Sequence, residues 1–393
     1  MRLARKRPAA WLAVAVVVLC AALAAVVIVR LQGSREPTTV TVMTRNIYLG
    51  GDITRPIRAA QGRTGGDALL AFGHANHELR EIVDRTDFQV RARLLAEEIA
   101  STRPDLIGLQ EVATWRSGPL ELDHLGEPNA TVVDYDYLQL LLAALQDRDA
   151  GYQVVQVQQE SDVEAPAFTG DPLTGPADSA EDVRLTLSDV ILRRTASSVE
   201  VSARGGGQYR KRIQLPLGGG SYAFVRGFAW ADVTSGGVRF RFATTHLESQ
   251  SADVALAQAG ELVSGATSGS DWPTVIVCDC NSDPDDDAIR PGDTVARSSA
   301  YDLLNGLGFR DQWLNGAAGS GPGFTAAFGE LVNDPSAAAL RRRLDLVLAR
   351  DAGRVRIRAR GAAITGAEPT DRDAATGLWP SDHTGVVVQL ELS

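Results

Sequence analysis

Between Val40 and Leu392 the chain alternates short apolar, β-branched runs with stretches whose apolar residues recur at helical spacing. A period of two and a period of 3.6 interleaved in this way require strands and helices to share one core, so the chain is of the α/β class. Val40–Arg45 reads as a strand that stops at Asn46, followed by a Gly50-Gly51 turn and a polar stretch. Phe88 to Ala100 carries Val90, Leu94, Leu95 and Ile99 at helical period, and Ser101–Pro104 breaks that helix. Leu106–Leu109 is then a buried strand ending at Gln110-Glu111. Further strands are expected at Tyr152–Val157, Val190–Leu192, Phe224–Val233, Val238–Thr244, Val275–Val277, Leu344–Leu348 and Val386–Leu392. Helices are expected at Leu256–Val263 and Tyr301–Leu307. Ser161–Glu181 and Arg204–Gly220 read as surface loops that shape access to a cleft.

The N-terminus departs from this pattern. Arg2, Arg5, Lys6 and Arg7 precede a charge-free run from Ala9 to Val29. As a helix that run is about 30 Å long, enough to cross a bilayer core. The cationic flank sets the N-terminus inside the cell and the rest outside. The expected organisation is a basic cytoplasmic segment (1–8), a transmembrane anchor or uncleaved signal (9–31), a linker (32–39) and one domain (40–393). A cleaved signal peptide, leaving a secreted domain, is the alternative; the run is long for one, and no small-x-small site follows it.

Beyond residue 35 the chain has 33 cations against 49 acids, a net charge of −16. Such a surface repels polyanions, so tight electrostatic binding to nucleic acid is not expected. Cys278 and Cys280 are the only cysteines outside the N-terminal run. Two residues apart on a strand they share one face, an awkward geometry for a bridge, and no second pair exists to complete a zinc site. They are expected as buried apolar padding.

Several apolar runs end in one chemically useful residue. Asn46 ends the first and Glu111 another; Phe240–Thr245 runs into His246, and Val275–Cys278 into Asp279 and Asn281. Asp345 sits inside an apolar run, where a buried carboxylate needs a partner, and Asp382-His383 precedes the last strand. Strand ends gathered at one rim are where α/β proteins place chemistry. Glutamate and aspartate supply hard oxygen ligands for Mg²⁺ or Mn²⁺, and histidines exchange protons near neutral pH. The set suits metal-assisted hydrolysis of a phosphate ester. His74 and His77, and Asp285–Asp287, are minor candidates better explained by a polar loop and a solvated turn; turn chemistry explains Asp52 equally well, and Asp189, placed before a strand, is a candidate partner for His246.

In order, Thr-Arg-Asn46, Leu-Gln-Glu111-Val, Thr-Thr-His246-Leu, Cys-Asp279-Cys-Asn281, Arg343-Leu-Asp345 and Ser381-Asp382-His383 resemble the signature of the endonuclease/exonuclease/phosphatase superfamily, over essentially Val40 to Leu392. The resemblance implies a four-layer α/β/β/α sandwich with two mixed sheets face to face. It implies Glu111 as principal metal ligand, with Asn46 and Asp382 near the metal. Asp279 would orient or deprotonate the attacking water, Asn281 hold a phosphate oxygen, and His246 act as acid or phosphate ligand. His383 would contact the scissile phosphate, with Asp345 paired to it. The substrate would be a phosphate ester, with a phospholipid head group or a nucleotide or nucleic acid among the possibilities. A catalytically silent binding module on the same fold is the alternative, and the intact residue set argues against it.

Overall fold

The computed structural model describes residues 37–172, 174–175, 180–217, 220–315 and 319–393. The expected anchor at 9–31 lies outside the described residues; among these, no helix is long and apolar enough to cross a membrane. Thr39–Leu392 forms one compact unit.

In chain order the elements are β1 (Thr38–Asn46), α1 (Arg55–Ala60), α2 (Gly65–Arg85), α3 (Phe88–Thr102), β2 (Leu106–Pro119), β3 (Val132–Asp136) and α4 (Tyr137–Gln146). Next come β4 (Tyr152–Phe168), β5 (Ala180–Arg194), β6 (Glu200–Gln208), β7 (Ile213–Leu217), β8 (Gly220–Phe224), β9 (Gly227–Ser235) and β10 (Val238–His246). The last are α5 (Ala252–Ala266), β11 (Thr274–Asp279), α6 (Ser299–Gly306), β12 (Arg310–Asp311), β13 (Asp345–Arg350), β14 (Ile357–Thr365) and β15 (Gly385–Leu392).

One sheet has the order β14-β15-β1-β2-β5-β4, with β3 on β2; the other runs β12-β13-β11-β10-β9-β6. Both are mixed, because β1/β2 and β10/β11 pair in parallel while their neighbours are antiparallel. The strands' period of two explains the layering. Val40, Val42 and Leu106 from one sheet meet Phe240, Phe242, Val275 and Val277 from the other in one apolar cluster. The alternate residues Met43, Leu109 and Leu192 face away, under Leu95, Ile99 and Leu141 of α3 and α4. On the far side Ala243, Ile276 and Leu348 pack under Leu262 and Leu304 of α5 and α6. Each such fully buried aliphatic or aromatic side chain contributes about 1.5–3 kcal/mol. Gly108 marks where the sheets come closest: a Cβ there would lie 2.4 Å from Val277 Cγ2.

Three expectations need correction. The polar stretch after Gly51 contains the helices α1 and α2. The buried stripe of α2 (Ala68, Ala75, Asn76, Leu79, Val83) includes Gly73, where a Cβ would meet Phe168 at 2.1 Å, so close packing replaced the apolar residue that marks a helix. Both ends of Ser161–Glu181 are strand, because β4 runs to Phe168 and β5 starts at Ala180. The charges that suggested a loop are answered internally, Asp162 by Arg184 at 2.7 Å and Glu164 by the Asn129 and Ala130 N–H groups. Arg204–Gly220 likewise holds the end of β6 and all of β7; Gly205 is strand because the Trp230 ring lies over it, 2.7 Å from where a Cβ would stand.

Candidate active site

Strand register places the first three site residues. His246 is opposite Asp279 across β10/β11, and Asp279 is opposite Asp345 across β11/β13, so three strands present one polar row at one rim. The other sheet contributes Asn46 from the end of β1, and its Nδ2 donates to Asp279 Oδ2 at 3.0 Å. His383 follows in the segment before β15, with Nδ1 2.7 Å from Asp345 Oδ2 and Nε2 3.7 Å from Asp279 Oδ2. His246 Nε2 lies 3.4 Å from the same Asp279 oxygen. Three of the eight expected residues, Asn46, His246 and His383, therefore converge on the carboxylate of a fourth, Asp279, with Asp345 behind His383.

Glu111 was expected at a strand end, but β2 continues to Pro119. The β2/β5 pairing shifts between Leu109 and Val112, and Glu111 has φ +58°, so the residue sits on an irregularity that re-aims its side chain. Tyr48 (φ +59°) and Asn281 (φ +46°) are also left-handed, a conformation costing on the order of 1–3 kcal/mol each for such residues. Functional side chains hold each turn. Glu111 Oε2 accepts from Leu49 N at 2.8 Å, Asn46 Oδ1 from Tyr48 N at 2.8 Å, and Asp279 Oδ1 from Asn281 N at 3.1 Å. Asn46, expected beside a metal, thus has both side-chain atoms in hydrogen bonds. Asn281 Nδ2 donates to Leu247 O at 3.0 Å.

The electrostatics divide the site in two. Burial alone would raise the Asp279 carboxyl, but the His246 and His383 rings and the bonds from Asn46 and Asn281 pull it down to about 2. Burial opposes a charge on His383, yet Asp345, Asp279 and Asp382 hold it well above the usual histidine range, as an imidazolium. His246 goes the other way: burial and Arg226 keep it neutral. Arg226 Nη1 lies 2.5 Å from His246 Nδ1, and a guanidinium can only donate, so the ring proton is on Nε2, facing Asp279.

At Glu111 and Asp382 the compensation falls short. Burial and Asp382 push Glu111 up; burial and Asp279 push Asp382 up, against the pull of His383. Both line a cleft of ≈ 270 Å³ together with Asp52, Glu248, Glu330 and Arg226. Carboxylates crowded at a cleft with raised affinity for protons are the donor set a hard divalent cation takes, so Glu111 and Asp382 fit Mg²⁺ or Mn²⁺. Ligand-capable atoms of Asp279, Asp345 and His383 also lie within 4.8 Å of one another. There the His383 imidazolium has no lone pair to give a metal, so the Glu111–Asp382 side is the better fit.

Four residues carried no sequence signal for this site. Arg226 is one. Behind it lie Glu160 and Asp189: burial lifts Glu160 to about 8 against the pull of Arg226 and of the N–H from Gly227, and burial and Glu160 hold Asp189 well above the carboxylate range. Both carboxyls are thus held toward their protonated forms, and Asp189 lies beside Glu160 where it was expected to orient His246. Arg91 donates to Ile47 O (2.7 Å), Tyr48 O (3.1 Å) and Pro380 O (3.3 Å), tying the chain after β1 to the approach to β15. Arg45 donates to His383 O at 2.7 Å and pairs with Glu98 at 3.0 Å.

The cysteines need a further correction. They do face the core, but Cys278 and Cys280 are joined by a disulfide, with Cα atoms 5.0 Å apart. Two residues of regular strand span about 6.6 Å, too flat for bridging. β11 ends at Asp279, and the chain turns through Cys280 to the left-handed Asn281, which brings the two sulfurs together. The minor candidates stand apart from the row. His74 and His77 are on α2, bonded to Gly170 O (2.7 Å) and facing Glu81 (3.6 Å). Asp52 accepts from Thr54 and pairs with Arg58, and Asp286 faces Arg297.

The sequence model of the Endonuclease/Exonuclease/phosphatase family matches residues 76–383. Similar solved structures include an endonuclease/exonuclease/phosphatase from Bacteroides vulgatus, 16% identical, covering 91% of this chain and 100% of that one, TM-score 0.50. A family protein from Bacteroides thetaiotaomicron is 15% identical, with 91% and 98% covered and TM-score 0.51. A humanized D. rerio TDP2 is 15% identical, with 90% and 98% covered and TM-score 0.50. At these identities the likeness is one of fold. No curated protein matches the chain significantly.

Proposed function

Since the chain belongs to the endonuclease/exonuclease/phosphatase family and is a metal-dependent hydrolase of phosphate esters, we propose that it cleaves a phosphodiester by attack of water, tethered to a membrane through residues 9–31 with the domain outside the cytoplasm. The observation that carries this reading is Asp279, buried yet held ionised at about 2, in contact with Asn46, His246 and His383 beside the acidic cleft.

Asp279 orients the attacking water and takes its proton, since its carboxylate is the ionised group the other side chains are built around. His383, charged and fixed by Asp345, offers Nε2–H to a phosphoryl oxygen. His246 is neutral and offers Nε2–H as a donor only, because Arg226 occupies Nδ1. Asn281 adds an uncharged donor, and Asn46 sets the angle of Asp279. Glu111 and Asp382 would hold Mg²⁺ or Mn²⁺, which when bound neutralises charge on the phosphoryl oxygens and makes water more acidic. Two histidines flanking one carboxylate can serve both the attacking and the leaving side of an in-line displacement. The net charge of −16 beyond residue 35 favours a small or lipid-borne phosphodiester over a long polyanion.

The test is hydrolysis by the full chain of bis(p-nitrophenyl) phosphate, p-nitrophenyl phosphate, DNA and sphingomyelin, with Mg²⁺, Mn²⁺ or EDTA, against an Asp279→Ala control. Diester turnover that needs metal and is lost in the control supports the reading. A folded, metal-loaded protein without turnover on any ester moves the binding module to the front.

A further inference from the structure

Next to the acidic cleft lies a second cavity of ≈ 130 Å³ with a different character. The two share Ile53, Leu215 and Phe224 in their linings, so the cavity adjoins the cleft along an apolar border. Trp115, Val163 and Leu185 line the sheet side; Val163 and Leu185 are directly opposed on β4 and β5. Ile57 and Phe72, from α1 and α2, line the other. Several polar atoms in this lining are already committed. Trp115 Nε1 donates to Leu49 O at 2.9 Å, Asn76 Nδ2 donates to Ala165 O and Pro166 O, and Glu164 Oε2 accepts from Asn129 N and Ala130 N. A guest therefore finds mainly aromatic and aliphatic surface. The size is close to that of the engineered apolar cavity of about 150 Å³ that binds benzene.

We propose that this cavity receives the apolar ester group of the substrate, so that the preferred phosphate ester carries an alkyl or aryl arm of about six carbons beside the scissile phosphate. The assignment rests on the phosphoesterase reading and narrows it: the cleft takes the phosphate and the cavity discriminates among its esters. A head group with only charged or hydroxylated substituents would leave the cavity unused.

Calorimetric titration of methyl, hexyl and phenyl phosphate into the full chain with Mg²⁺ tests this without turnover. Hexyl or phenyl phosphate should bind about ten-fold or more tightly than methyl phosphate, since each buried methylene adds several-fold. Val163→Trp and Ile57→Trp fill the cavity from opposite walls, and thermal melting shows which of them folds. In either folded variant the hexyl or phenyl advantage should vanish while methyl phosphate affinity stays within about two-fold. Hexyl above phenyl assigns an alkyl arm, and the reverse an aryl one. Equal binding of all three by the wild type, or an advantage that survives in a folded variant, overturns the proposal. Absence of binding by any of the three in the wild type would also overturn this assignment, while the diester assay above decides the phosphoesterase reading separately.

Discussion

Asp279, buried, and Glu111, partly buried, are carboxylates at the same rim, and the protein treats them oppositely. Asp279 sits among two imidazoles, an amide and a backbone N–H, and its affinity for protons falls to about 2. Glu111 accepts from one backbone N–H and feels Arg226 and His383, but burial and a second carboxylate, Asp382, outweigh them, and its affinity for protons rises. Burial acts to raise both, so neighbours decide the difference. One carboxylate is stabilised as an anion by the fold itself; the other is left needing a cation.

Substitutions separate the two halves by size and sign. Asp279→Ala should lower kcat by about 10³-fold, measured as initial rates on a generic phosphodiester, since a positioned base contributes about 10²–10⁴-fold. Asp345→Asn should lower kcat by about 10²-fold. It should also lower Tm, because breaking a buried ion pair costs about 3–5 kcal/mol. Glu111→Gln should do the reverse to stability. Melted in chelator it should match or exceed the wild type by about 2 °C, since one of two repelling carboxylates is gone. A Glu111→Gln protein that melts well below wild type in chelator would break the contrast.

The Glu160–Asp189 pair gives a pH test. Folding raises Glu160 from 4.5 to about 8, so the folded chain binds more protons than the unfolded one between those values. Stability contributed by this group is present below about pH 4.5 and is lost as pH rises through 8. Glu160→Gln should flatten that decline in Tm; an unchanged slope would show that Glu160 does not take up a proton on folding. The smallest effect belongs to the disulfide. Its two cysteines are two residues apart and fully buried, so it closes almost no loop. Replacing both by Ala should leave kcat within about two-fold.

Residues whose position follows from strand register were legible in the sequence. His246, Asp279 and Asp345 each border an apolar run, and pairing those runs puts the three in one row. Arg226 and Glu160 were not legible, because neither lies in a motif and their link to His246 appears only once β4 and β9 are adjacent to the row. α2 was hidden by Gly73 and Asn76 in its buried stripe, where tertiary packing overrides local pattern. The disulfide was missed because regular strand geometry was applied one residue beyond the end of β11.

The most direct test of the central claim is the initial rate of phosphodiester hydrolysis against Mg²⁺ concentration, for the wild type and Glu111→Gln. The account predicts saturable activation that EDTA abolishes, with the variant needing about ten-fold or more Mg²⁺ for half-maximal rate. Turnover that persists in EDTA, or superimposable curves for the two proteins, would contradict it.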